Sequence, residues 1–214
     1  GAWYCGDSSP KRYTMDDHLG YAAWSDDGKT WQSPVMLEGT YGHYVWRAAT
    51  HGGKAYLCGR RKREFAKTKT RAERDPLTES AMLVSDDGLI FQKTALFQET
   101  NGNETAFLFE EDGSVLAVAR SGSRRNAQLC RAKPPYQQWE RQNLDRYIGG
   151  PLLAKWGDRY LVGGRKTVTK KAVTSLYWLI DDRLHEIAEL PSGGDNSYPG
   201  FLQLSDKRAF VSYY

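Results

Sequence analysis

The sequence predicts an all-β chain assembled from repeated blades, on three observations. Runs such as LGYAAWS, KAYLCGR, SVLAVAR, RYLVGGR and RAFVSYY are short, rich in aromatic and β-branched residues, and bounded by Gly and Asp turns. No stretch carries long 3.6-residue apolar periodicity, so the core is expected to be built of strands alone. Laid over one another, the runs repeat at roughly 45 to 60 residues, the period of β-propeller blades.

Five copies of one strand end alike: WYCGD at Asp7, YLCGR at Arg60, LAVAR at Arg120, LVGGR at Arg165 and FVSYY at Tyr214. In the last four, a turn counted from Gly53, Gly113, Asp158 or Lys207 precedes the tip by seven residues and closes a hairpin. The strands entering these hairpins are RAATH, TAFLFEE, PLLAKW and PGFLQLS. Antiparallel counting places Glu104 opposite Arg120, Tyr198 opposite Tyr214, Gly150 opposite Arg165 and Arg47 opposite Arg60. As inner strands of successive blades, all these positions would open onto one face around a central funnel, where propellers carry their sites.

The outer strands carry a second signature, SDDGKTW from Ser25 to Trp31, with a weaker copy, SDDGLIF, from Ser85 to Phe91. A third place, PPYQQWERQ from Pro134, keeps only the aromatic residue. The chemistry is that of a tight turn: Asp accepts backbone N–H bonds, Gly takes a positive φ and Trp packs between sheets. Asp26, Asp27 and Trp31 are therefore read as structural.

SDDGKTW resembles the Asp box of sialidase-type (BNR-repeat) propellers, SxDxGxTW, shortened by one residue. NETAFLFEEDGSVLAVAR (103–120) and LPSGGDNSYPGFLQL (190–204) are similar to exo-sialidase-like glycoside hydrolases, in which one blade opens with NE, passes a DG hairpin and ends in Arg, and a later blade opens with Tyr. The resemblance covers essentially the whole chain. It implies a six-bladed β-propeller of which residues 1–214 form a single domain of about four to four and a half blades, lacking N-terminal blade material and the last strands.

The same resemblance implies chemistry. Tyr198 would be the nucleophile and Glu104 its base, a tyrosine being suited to a substrate whose carboxylate, next to the anomeric carbon, repels a second carboxylate. Arg120 and Arg165 would bind that carboxylate through their guanidinium forks, with Arg47 and Arg60 on the same rim. The general acid and the first-blade arginine have no assigned residue; Asp7, Asp16 and Asp17 lie nearest, and turn roles are the leading reading for them. The activity expected is removal of a terminal acidic sugar. Two alternatives stay open: a non-catalytic propeller that binds acidic glycans, and another carbohydrate-active propeller such as a polysaccharide lyase. A secreted or periplasmic location is implied by resemblance only.

Composition is compatible with this. With 30 basic and 26 acidic residues, the net charge of +4 favours anionic ligands without making a dedicated nucleic-acid binder. The one charge-dense stretch, Arg60 to Arg74, reads as a solvated loop. Cys5, Cys58 and Cys130 lie in strand-like contexts and read as buried free thiols. The four His residues lack metal-ligand spacing, and no phosphate loop occurs, so neither metal nor cofactor is implied. No apolar run reaches the length of a membrane span. Oligomeric state is left open.

Overall fold

The computed structural model describes residues 1–6, 16–168 and 171–214, and Asp7 therefore lies outside the described residues. The chain divides into two compact units, Gly1–Gly102 and Asn103–Tyr214. Among the described residues there is no helix long and apolar enough to cross a membrane.

In the first unit, β1 (Ala2–Tyr4), β2 (His18–Ala22) and β3 (Val35–Met36) form a three-stranded antiparallel sheet. It is followed by β4 (Tyr44–His51), β5 (Lys54–Lys62), β6 (Thr78–Ser85) and β7 (Gln92–Gln98), a four-stranded meander. Leu37, Val45, Ala81, Leu83 and Phe91 are buried between them. The expectation of a solvated loop holds for most of residues 63–74, which are largely exposed, and is corrected at the start of the run. Arg60 to Lys62 belong to β5, Arg71–Arg74 form one short helical turn (α1), and Arg61 and Arg63 both pair with the buried Glu79, at 3.4 and 3.3 Å. A carboxylate taken out of water needs such compensation, so Arg61 and Arg63 are held down by the charge they neutralise.

In the second unit, β8 (Thr105–Phe109), β9 (Val115–Ala119), β10 (Gln128–Ala132) and β11 (Trp139–Asn143) form one four-stranded antiparallel sheet. β12 (Gly149–Trp156), β13 (Arg159–Val168), β14 (Lys171–Ile180) and β15 (Arg183–Glu189) form the next, and β16 (Gly200–Ser205) pairs with β17 (Arg208–Ser212). Val118, Leu129, Ile148, Val162 and Tyr177 fill the interior between the first two sheets, and Leu161, Leu176, Phe201 and Val211 join the second to the two-stranded sheet. Each strand follows its neighbour in sequence, because antiparallel meanders need only short turns.

Both Asp–Gly turns have the expected chemistry. Asp27 Oδ1 accepts from the N–H groups of Lys29 (2.8 Å) and Thr30 (2.7 Å), and Asp87 Oδ1 accepts from those of Leu89 (2.8 Å) and Ile90 (2.9 Å). Gly28 and Gly88 adopt φ of 70° and 77°, which a side chain would strain. These N–H bonds hold the Asp27 carboxyl down to about 2. The aromatic positions differ: Phe91 is buried, whereas Trp31 is 62% exposed, so the packing between sheets expected of it is not observed. In the second turn a backbone bridge from Glu38 to Leu89 and Phe91 (2.9 Å each) draws the end of the turn inward.

Cys58 and Cys130 are buried free thiols, but Cys5 is exposed, because its short β1 strand ends at Tyr4 and leaves it on the surface. Burial pushes the Cys130 thiol up to about 12, against a smaller opposing pull from Arg141 and Arg131. Ellman's reagent should therefore find one fast thiol in the native protein and three after denaturation. Two or more fast thiols in the folded state would contradict this packing.

Candidate functional site

The sequence count holds where the hairpin is regular. In β8–β9 the pairs run from Phe109 with Val115 to Thr105 with Ala119, and the Arg120 N–H donates to the Glu104 carbonyl at 2.8 Å. Glu104 and Arg120 are therefore directly opposite at the strand ends.

Elsewhere β-bulges shift the count. Arg165 pairs with Gly149, and the register changes between Gly149 and Leu152, so Gly150 is the extra residue. Arg60 pairs with Tyr44, after a shift between Val45 and Ala48, so Arg47 does not face Arg60. Arg47 instead sits beside Cys58, its N–H donating to that sulfur at 3.3 Å. Tyr214 exchanges backbone bonds with Ser197, leaving Tyr198 to take φ of 53°. A bulge frees one residue from the ladder and re-aims it, a common feature beside functional sites.

At Glu104 three sheets of the second unit meet. Glu104 is only 4% exposed. Oε1 accepts from the Tyr198 hydroxyl at 2.5 Å, while Oε2 accepts from Arg120 Nη1 at 2.7 Å and from the Gly150 N–H at 2.9 Å. The bulge at Gly150 supplies that N–H, which a regular ladder would have consumed. Gly150 has φ of 54°, and a Cβ there would lie 2.4 Å from Ser197 Oγ and 3.0 Å from the Tyr198 ring, so glycine permits the approach. Ser197 Oγ donates to the Gly149 carbonyl at 2.8 Å and fixes the loop that carries Tyr198.

Burial alone would raise the Glu104 pKa. The Arg120 charge, the Tyr198 hydroxyl and the Gly150 N–H outweigh it and hold the carboxyl below its usual range. Burial, then the Glu104 charge and hydrogen bond, push the Tyr198 hydroxyl well above its ordinary value. At neutral pH the pair is thus a carboxylate accepting from a phenol, with the proton on the Tyr198 oxygen. The Tyr198 ring stacks on Tyr214 at 5.5 Å and 11°. Arg120 lies 5.5 Å from the Tyr147 ring centre, and its Nε is buried without a hydrogen-bond partner among the described residues.

Arg165 joins the same unit through a different partner set. Its Nε donates to the Asn196 carbonyl at 2.9 Å, and its Nη2 pairs with Asp195, a residue on the same loop as Tyr198, at 2.5 Å. Arg47 and Arg60 belong to the first unit, where Arg60 stands over the Trp46 and Tyr44 rings at 5.1 and 5.7 Å. In that unit Asp16 is ion-paired with Lys62 at 2.9 Å and Asp17 accepts from Tyr41 at 3.5 Å. Tyr147 and Ser197 escaped sequence reasoning, and Gly150, counted onto the rim opposite Arg165, was not expected to donate to Glu104. The only other mark they carried was the Gly149–Gly150 pair at a strand start, which reads as a turn.

No family model matches the chain. No curated protein matches it either. Solved structures do. A protein of unknown function from Dyadobacter fermentans superposes with a TM-score of 0.73 at 20% identity, covering 92% of this chain. The family 117 glycoside hydrolase Zg3597 from Zobellia galactanivorans does so at 0.58 and 12%, and the GH43 protein BlXynB from Bacillus licheniformis at 0.55 and 12%, each again over 92% of this chain. The chain spans 60%, 71% and 45% of those proteins, respectively. At such identities the likeness establishes the fold, the four-stranded antiparallel blades of propeller-type glycoside hydrolases.

Proposed function

We propose that this chain carries the nucleophile and base of an exo-acting, sialidase-type glycoside hydrolase built as a six-bladed propeller, and that it removes a terminal acidic sugar with retention. The observation that carries the reading is the 2.5 Å bond from the buried Tyr198 hydroxyl to Glu104. Its wider setting, a carbohydrate-active propeller, is supported by likeness to two glycoside hydrolases of that fold.

The residues divide the work as follows. Tyr198 Oη attacks the anomeric carbon as its proton passes to Glu104 Oε1, and the glycosidic C–O bond breaks with its electrons going to the leaving oxygen. Water then attacks the same carbon as the tyrosyl C–O bond breaks; Glu104 returns its proton to Tyr198 Oη, and the proton lost by the water passes through solvent to the departed leaving oxygen. Arg120, expected beside Arg165 as a binder of the substrate carboxylate, is already engaged by Glu104 and in this reading keeps it ionised and ready to accept. The substrate carboxylate binds Arg165, displacing Asp195, whose side chain is 79% exposed. Exchange of such a surface partner costs little, about 0–1 kcal/mol.

The test is release of fluorophore from an aryl sialoside, beside aryl uronide and neutral aryl glycoside controls. A phenolic leaving group of low pKa departs without help from an acid, so the assay does not depend on which residue supplies that acid. Selective release from the sialoside supports the reading; silence on it with turnover of a neutral or uronic glycoside overturns it.

A further inference from the structure

We propose that the second unit has a further ligand site, a cleft for a neutral saccharide chain, at the end of the β8–β9 hairpin remote from Glu104. A cavity of about 840 Å³ opens there, lined by the hairpin, the β10–β11 connection and Tyr160 of β13. Glu110 borders this cavity just after β8 and Glu104 lies just before it, six residues earlier and on the order of 20 Å away at ~3.3 Å per residue. The two places are therefore distinct. The connection is PPYQQW, the degenerate third copy of the outer-strand signature, which lacks the Asp and Gly that close the other two turns on themselves.

The walls are pre-set. The Tyr136 hydroxyl donates to the Gly113 carbonyl at 3.0 Å, and Trp139 Nε1 donates to the Tyr136 carbonyl at 2.9 Å, tying the connection to the hairpin turn. Glu110 accepts from the Tyr160 hydroxyl at 2.6 Å and from Lys155 at 2.5 Å. Arg131 pairs with Asp182. A site whose polar groups are already oriented loses little entropy on binding.

The lining selects the ligand class. Its ionic side chains are Glu110 and Glu140 against Arg131 and Lys133, which balance, and Glu110 and Arg131 are already paired within the protein. A charged ligand would have to displace those pairs for no net electrostatic gain. Pro134, Pro135 and the half-buried Trp139 supply an apolar floor over the buried Val115, Leu116 and Ala132, while the exposed Gln137, Gln138 and Glu140 ring it with planar amide and carboxylate groups. A pyranose chain has this same division, apolar C–H faces and a rim of hydroxyls, and the volume lies in the range of ligand pockets. The site does not rest on the hydrolytic reading of Tyr198.

Calorimetric titration with maltohexaose, cellohexaose, xylohexaose and sialyllactose tests it. Saturable binding of at least one neutral hexaose is expected, weakened about tenfold or more by Gln138→Ala or Glu140→Ala and unchanged in Tyr198→Phe. Trp139→Ala should abolish it; since that indole also ties down the connection, the two exposed variants decide the matter if Trp139→Ala does not fold. No binding of any hexaose at millimolar concentration would overturn the site. So would binding that both exposed variants leave unchanged, or a preference for sialyllactose that those variants remove.

Discussion

Replacing Tyr198 by phenylalanine should lower turnover of an aryl sialoside on the order of 10³-fold or more while leaving its affinity within a few-fold. The substitution deletes one atom. The ring that stacks on Tyr214 remains, as does the φ of 53° that the loop imposes through Ser197 and Gly149. What disappears is the hydroxyl that donates to Glu104 Oε1, and with it the only nucleophile proposed. A purely structural Tyr198 would show itself differently. In either case Glu104 Oε1 loses a partner and stability falls by about 1–3 kcal/mol, as for a buried acceptor left unsatisfied, but with a purely structural Tyr198 turnover of the folded fraction would stay at the wild-type rate. Thermal melts of the variant beside rate measurements separate the two outcomes, and an unchanged rate in folded protein removes the mechanism.

Glu104→Gln should affect both stability and rate. The amide preserves shape but removes the charge that compensates Arg120, and breaking a buried pair in this way costs about 3–5 kcal/mol. Rate should fall about 10²–10⁴-fold through loss of the base. The pH dependence identifies the cause. Because the folded carboxyl titrates below its usual range, its contribution is fully present above the unfolded value of about 4.3 and disappears as pH falls through the lower folded value. Wild type and variant should therefore differ most at neutral pH and converge in acid. Denaturant melts at pH 7 and near pH 3 measure this, and equal stabilities at pH 7, or a gap that persists undiminished in acid, would contradict the ionised Glu104–Arg120 pair.

The legible parts of this protein were those governed by neighbours in sequence. Strand identity followed from aromatic and branched runs between Gly and Asp turns. The Asp27 and Asp87 turns behaved as their side-chain chemistry requires, because Asp bonds to N–H groups two and three residues ahead whatever surrounds it. Glu104 opposite Arg120 was legible for the same reason: a tight, regular hairpin transmits its register by counting alone. Arg47, Gly150 and Tyr198 were misplaced by one or more positions because a bulge leaves no trace in alternation. It arises where packing between sheets makes one extra residue fit better than a straight ladder.

The sequence by itself determined the blades, their turns and the Glu104–Arg120 pair, since each depends on local backbone chemistry or on a short count. Only the tertiary structure decided that the Gly150 N–H and the Tyr198 hydroxyl converge on Glu104 and that Arg165 is held by Asn196 and Asp195. It also decided that Trp31 stands in solvent. These are contacts between groups far apart in the chain, and their free energies come from desolvation and charge compensation, which exist only once the sheets have brought the groups together.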